Sequence, residues 1–185
     1  MNKIVLKDYL FLSNEEHKEL LDVRNKEYIR EVSLDTSVIE LVNHISFVKG
    51  LKNSDKKFFA IIFEDKIIGG VNIFNIKEDI KWGIFFLEEA NIMIKSLVPI
   101  YFLEYIFKTF QKEEIFLDVK KENINTISYD KNLGFKIFKE DDKIISMKMS
   151  KLEFENAKEK AFLKRVMKQF KKFDFEIISY DGVEV

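Results

Sequence analysis

The 185-residue chain contains no cysteine, one proline, six glycines and two histidines. The absence of cysteine excludes a disulfide framework, thiolate-held zinc, iron–sulfur ligation and a cysteine nucleophile. His17 and His44 alone cannot supply a multi-histidine metal site, so no metal is expected. An excess of one charge is missing too. With 31 basic residues against 32 acidic ones, the chain carries no footprint for nucleic acid. Long apolar runs are also absent. The longest, Ile92–Phe107, is broken by Lys95 and Glu104 and falls short of the roughly 18–20 residues of a bilayer span. Residues 1–8 meet charge too early for a secretory apolar core, which reads as a cytoplasmic protein.

Core material is plentiful: 46% of residues are hydrophobic and 19 are phenylalanine. Phenylalanine beside so much lysine and isoleucine reads partly as composition bias, so single phenylalanines carry little functional weight. At this length one domain buries about 70% of its unfolded surface without covalent staples.

Periodicity and turn residues predict a strand over Lys3–Phe11, then a helix capped by Ser13 with Glu16 completing a capping box. Leu20, Leu21, Arg24 and Tyr28 continue that helix. A second helix is expected over Thr36–Lys52, and strands over Lys57–Phe63, Ile67–Ile76 and Trp82–Leu87. Ser96–Lys112 reads as a helix, Phe116–Val119 as a strand, and Asn125–Leu133 as a short helix closed by Gly134. Phe135–Lys139 and Ile144–Met149 form a hairpin. The fold class is α/β of the α+β kind: a mixed, mostly antiparallel sheet flanked by helices, with one parallel crossover between Trp82 and Val119.

After Ser150 the character changes. Between Lys151 and Lys172 eight basic residues face three acidic ones, and Phe162, Val166, Phe170 and Phe173 share one helical face. The expectation is a domain over residues 1–150 and an appended basic amphipathic helix and strand over 151–185. The stripe would dock on the parent domain or on a partner subunit, including a second copy.

The element order, with the segment Asn123-Ile124-Asn125-Thr126-Ile127-Ser128-Tyr129-Asp130-Lys131-Asn132-Leu133-Gly134-Phe135, resembles the GNAT superfamily of acyl-CoA-dependent N-acyltransferases. Its signature is N-x-x-A-x-x-x-Y-x-K-x-G-F. Val23-Arg24-Asn25, His44-Ile45-Ser46-Phe47, Leu51, Phe58-Phe59, Ile67-Ile68-Gly69 and Gly83-Ile84-Phe85 extend the likeness over Lys3–Met149. They are similar to the branch that acetylates UDP-4-amino-4,6-dideoxy sugars in pseudaminic acid biosynthesis.

The resemblance implies direct acyl transfer from acetyl-CoA to the amino group of a nucleotide-linked sugar. It makes Tyr129 the proton donor to the departing thiolate, as a phenol protonated at neutral pH can be. It places Arg24, His44 and Asp118 against the nucleotide-sugar, and Ile84, Phe85, Asn91, Lys95 and Asn123 against the cofactor, with a backbone N–H near Phe85 facing the oxyanion. A guanidinium suits a diphosphate through its forked donors. From the residues alone, Tyr129 is equally a packing tyrosine, Arg24 a solvated helix-end arginine, His44 a core histidine, and Asp118 a cleft or solvent residue.

The chain departs from the family at the cofactor loop. Leu87–Lys95 has no glycine and carries Glu88 and Glu89 where a basic glycine-rich loop is usual, although Asn91 accepts positive φ more readily than most residues. Phe74, Asn75 and Phe85 also stand where the branch carries polar, basic and tyrosine residues. Two alternatives follow: a GNAT-fold binding module with a degenerate CoA loop, or acyl transfer to a protein or peptide amine.

Overall fold

The computed structural model describes residues 2–180, so the last five positions of the 151–185 extension lie outside the described residues. One eight-stranded sheet runs in the order β6-β7-β5-β4-β3-β2-β1-β8. β1 (Asn2–Asp8), β2 (Lys57–Phe63), β3 (Lys66–Phe74) and β4 (Lys81–Phe86) pair antiparallel. β5 (Glu114–Lys120), β7 (Ile144–Ser150) and β6 (Lys136–Glu140) form a second antiparallel group. β4 and β5 join the groups in parallel, and β8 (Phe173–Ile178) adds in parallel outside β1. The mixed, mostly antiparallel sheet read from the sequence is the one observed.

Strand alternation divides the interior into two layers. On β2, Phe59 and Ile61 join the larger core with α4 (Ile92–Phe110), whereas Phe58, Ala60 and Ile62 face the smaller one under α1 (Asn14–Arg24) and α3 (Leu41–Leu51). Complete burial of Phe59, Phe102, Phe135 and Phe154 contributes roughly 1.5–3 kcal/mol each. The hairpin between β2 and β3 turns on Glu64 and Asp65, whose φ values of 52° and 59° suit the twist of the flanking strands.

Several boundaries differ from the sequence reading, each for a local reason. The capping box at Ser13 and Glu16 is formed. α1, however, ends at Arg24, and Tyr28 belongs to an extra helix, α2 (Glu27–Val32). α3 starts at Leu41 rather than Thr36, because side chains hold residues 33–40 in an irregular, non-helical path. Asn25 bonds both the N–H and the C=O of Ile39 at 2.9 Å, and Arg24 and Arg30 donate to the carbonyls of Asp35 and Thr36. α4 starts at Ile92 rather than Ser96, since the Asn91 side chain accepts from the Met93 N–H at 2.8 Å and caps it there.

The expected single tail helix is two, α6 (Lys151–Lys158) and α7 (Ala161–Met167). In a straight helix the pairs Phe154/Ala157 and Leu163/Val166 would point to opposite sides, nine residues being two and a half turns. The break lets both pairs enter the larger core. Phe162, expected on the buried face, is 45% exposed instead, and Leu163 takes its place.

Candidate functional site

β4 and β5 share one registered pair, Lys81 with Phe116, and then diverge. A salt bridge of 2.5 Å from Lys81 Nζ to Asp118 Oδ2 ties the base of the divergence, and Ser146 Oγ donates to Asp118 Oδ1 at 2.6 Å. Above it opens a cavity of 1210 Å³. Its lining draws on both layers: Tyr9, Arg24, His44, Phe58 and Phe85 from the α1–α3 side, Ser96, Tyr129 and Asp130 from α4 and α5 (Ile124–Leu133). The cavity therefore passes through the sheet where two strand edges are unpaired.

At one end, Ile84, Lys95, Asn123 and Tyr129 line the cavity. The Tyr129 hydroxyl donates to the Ser96 carbonyl at 3.0 Å, and its pKa is raised by burial and by the Asp130 charge beside it. Asn123 caps α5 through the Thr126 N–H. Lys95 Nζ donates back to the Glu88 carbonyl at 2.6 Å, and the Glu88 N–H donates to the Tyr28 hydroxyl. Asn91 does not take the positive φ anticipated for it. It sits at φ −53° as the α4 cap, because its side-chain acceptor is already aimed at Met93, and it is not among the lining residues. The first turn of α4 carries no acidic residue, and such a turn presents backbone N–H groups and a positive dipole end to an anion.

At the other end, Phe47, Phe58, Phe74 and Phe85 make an aromatic wall. Gly70 permits it: a Cβ there would stand 2.6 Å from the Phe85 ring. The Arg24 guanidinium lies 6.0 Å from the Phe85 ring centre. One of its nitrogens bonds Asp35, while Nη1 is buried with no partner, and burial lowers its pKa. His44 is buried, with Nε2 2.9 Å from His17 Nδ1, and burial followed by the His17 charge draws its pKa down to about 4.

The structure thus gathers Tyr129, Arg24, His44, Asp118, Ile84, Phe85, Lys95 and Asn123 around one cavity and leaves Asn91 at its edge as a cap. Sequence reasoning passed over three further residues. Trp82 lines the cavity with an unpartnered buried Nε1. His17 locks His44, a pairing across 27 residues that no motif announces. Asp130 lines the cavity at 4% exposure, and burial alone raises its pKa to about 7. Among the described residues no group of three His, Cys, Asp or Glu is placed to hold a metal, and no helix is long and apolar enough to cross a membrane.

This is the fold of the GNAT N-acetyltransferases. The N-acetyltransferase PseH of Campylobacter jejuni, in complex with acetyl coenzyme A, matches with a TM-score of 0.65 at 21% identity, over 80% of this chain and 99% of that one. The apo nucleotide-linked sugar GNAT FdhC matches at 0.67 and 19% identity, over 84% and 89%. Spermidine N-acetyltransferase from Vibrio cholerae, in complex with CoA and spermine, matches at 0.72 and 15% identity, over 83% and 98%. No family model and no curated protein matches the sequence.

Proposed function

We propose that the chain is an acetyl-CoA-dependent N-acetyltransferase acting by direct attack of an acceptor amine, and that the acceptor is a nucleotide-linked amino sugar. The through-sheet cavity supports this reading. A thioester arm fits between the diverging strands, whose unpaired backbone groups can bind it as a strand would. The α4 N-terminus suits the cofactor's phosphates, with Lys95 as the cation lining that end. Trp82 Nε1 and Arg24 Nη1, both buried without partners, are donors that a bound ligand would satisfy.

Each residue then has a task. A backbone N–H near Phe85, on the unpaired edge of β4, stabilises the charge developing on the thioester oxygen. Tyr129 leaves the Ser96 carbonyl to protonate the departing sulfur. Arg24 takes the acceptor's diphosphate through Nη1, Asp118 and His44 bound the sugar, and Ile84 and Asn123 flank the cofactor. The likeness to the nucleotide-linked sugar GNAT supports this acceptor, while the spermidine enzyme keeps polyamines in the comparison. A cytoplasmic step in glycan assembly is the corresponding place in the cell.

Thiol release from acetyl-CoA, measured with UDP-linked 4-amino sugars, polyamines and aminoglycosides, tests the reading. Release fastest with the sugars supports it, release confined to polyamines overturns the acceptor, and no release with any amine overturns the enzyme. Tyr129→Phe lowers turnover and leaves acetyl-CoA binding within about twofold. Glu88 and Glu89 favour a second reading, a binding module that has lost CoA. Calorimetric titration with acetyl-CoA separates the two, since that module shows no binding up to about millimolar concentration.

A further inference from the structure

We propose that Asp130 is the general base of this site, its carboxylate taking the proton that the attacking amine must lose. The inference rests on the acetyltransferase reading and assigns the proton acceptor that β4 lacks, since Lys81–Phe86 contains no carboxylate.

Three carboxylates line the cavity: Asp35, Asp118 and Asp130. Asp35 accepts from the Ser37 N–H and hydroxyl at 2.9 and 2.7 Å. Asp118 is held by Lys81 and Ser146. The Asp130 carboxylate has no hydrogen bond or ion pair among the described residues, although the residue is 4% exposed. A buried carboxylate with a purely structural role caps a helix or meets a cation, and Asp130 does neither. Its backbone is fixed at the end of α5, where its carbonyl accepts from the N–H groups of Gly134 and Phe135. Phe135 in turn stacks on Trp82 at 6.2 Å between ring centres, so the aspartate stands on rigid packing at the cavity wall.

The protonation equilibrium suits the task. Burial brings the carboxyl to about 7, where a base is effective near neutral pH. The charge of Asp130 adds to burial in raising Tyr129. Neutralising Asp130 therefore makes Tyr129 more acidic when the sulfur needs a proton. The balance closes: the C–N bond forms, the amine proton passes to Asp130, and the C–S bond breaks. Tyr129 then protonates the sulfur, and Asp130 returns its proton to the phenolate. One proton has moved from nitrogen to sulfur.

Tyr129, next to it on α5, is the titratable group that feels the Asp130 charge. Lys81, Asp118 and Lys95 line the same cavity, as do Tyr9, Arg24, Tyr28, Asp35, His44 and Lys56, and none of them shifts Asp130, which burial alone raises. On α6, Glu153 is tied to Lys136 and Lys158 to Glu104 and Glu155.

The test compares the wild-type chain with Asp130→Asn and Asp130→Glu. Without any ligand, carbon-13 NMR of labelled aspartate side chains is expected to show one carboxyl titrating near pH 7 that is lost in Asp130→Asn. The Tyr129 ring signal is expected to shift at the same pH. With acetyl-CoA and an accepted amine, Asp130→Asn lowers kcat at least 100-fold with KM for acetyl-CoA within twofold, and Asp130→Glu restores part of the rate. No aspartate titrating above pH 6, or an Asp130→Asn rate within threefold of wild type, overturns the proposal. A wild-type chain that releases no thiol with any amine overturns the acetyltransferase reading and this base with it. Turnover in the wild type matched by Asp130→Asn overturns the base alone.

Discussion

His17 Nδ1 lies 2.9 Å from His44 Nε2, and both rings are buried. One imidazole must donate and the other accept, so a second proton on the pair places two positive charges in contact. The folded protein therefore holds His44 neutral down to about pH 4, while in the unfolded chain it protonates near 6.5. Below pH 6.5 the unfolded state binds more protons at this site, and the pair's contribution to stability falls as pH falls from 6.5 towards 4. Because Asp130 titrates with the opposite sign in the same range, the pair is read as a difference: His44→Gln is expected to gain in melting temperature relative to wild type as pH falls from 6.5 towards 4. A difference between the two melting curves that stays constant across that window would refute the buried neutral pair.

Asp130 acts with the opposite sign. Its folded pKa of about 7 lies above the ordinary 3.8, so between these values the folded state holds a proton that the unfolded chain has lost. The contribution is fully present below pH 3.8 and is lost as pH rises to about 7, at most about 4 kcal/mol in all. Asp130→Asn is expected to melt higher than wild type at pH 8, with the gap closing below pH 4. The comparison requires only the folded chain and a calorimeter.

Glu88 and Glu89 sit in the turn before α4, where they oppose an anion at the helix N-terminus. Replacing both with glutamine removes two unfavourable charge interactions of roughly 0.5 kcal/mol each at low salt. Acetyl-CoA binding is expected to tighten about fivefold at low ionic strength, the gain fading in 0.5 M salt, read by calorimetry. An unchanged dissociation constant at low salt would place the cofactor's phosphates elsewhere.

Gly69 lies across from Phe86, and a Cβ on it would stand 2.2 Å from the Phe85 carbonyl oxygen. That oxygen belongs to the backbone, so the strand itself must move. Gly69→Ala is expected to cost about 1–3 kcal/mol in denaturant unfolding and to weaken acetyl-CoA binding by displacing β4. Gly50→Ala, whose Cβ meets nothing within 4 Å, serves as the control.

Elements with strong local signals were legible in the sequence. β2 was read at its observed limits, Lys57–Phe63, and the capping box at Ser13 and Glu16 is in place. What escaped was decided by distant partners. Nothing local shows that Asn25 will hold Ile39 and so delay α3, or that His17 will meet His44. Asp130 left a trace that went unused. Between Tyr129 and Gly134 the chain has one residue more than the signature allows, and one residue turns a helix by about 100°. Counted forward from Asn123 or back from Gly134, the signature's tyrosine position falls on Asp130, not Tyr129. The aspartate's burial and its place on the cavity wall agree with that count.

Residues 2–7 of β1 pair with residues 173–178 of β8, about 171 positions away. During synthesis β1 emerges about 171 residues ahead of the strand that covers its outer edge. In that interval it presents a row of unmatched N–H and C=O groups, the kind of edge on which other chains nucleate aggregates. Completing the sheet late and over such a separation also slows folding. A chain halted before residue 173 therefore carries β1 with its outer edge uncovered.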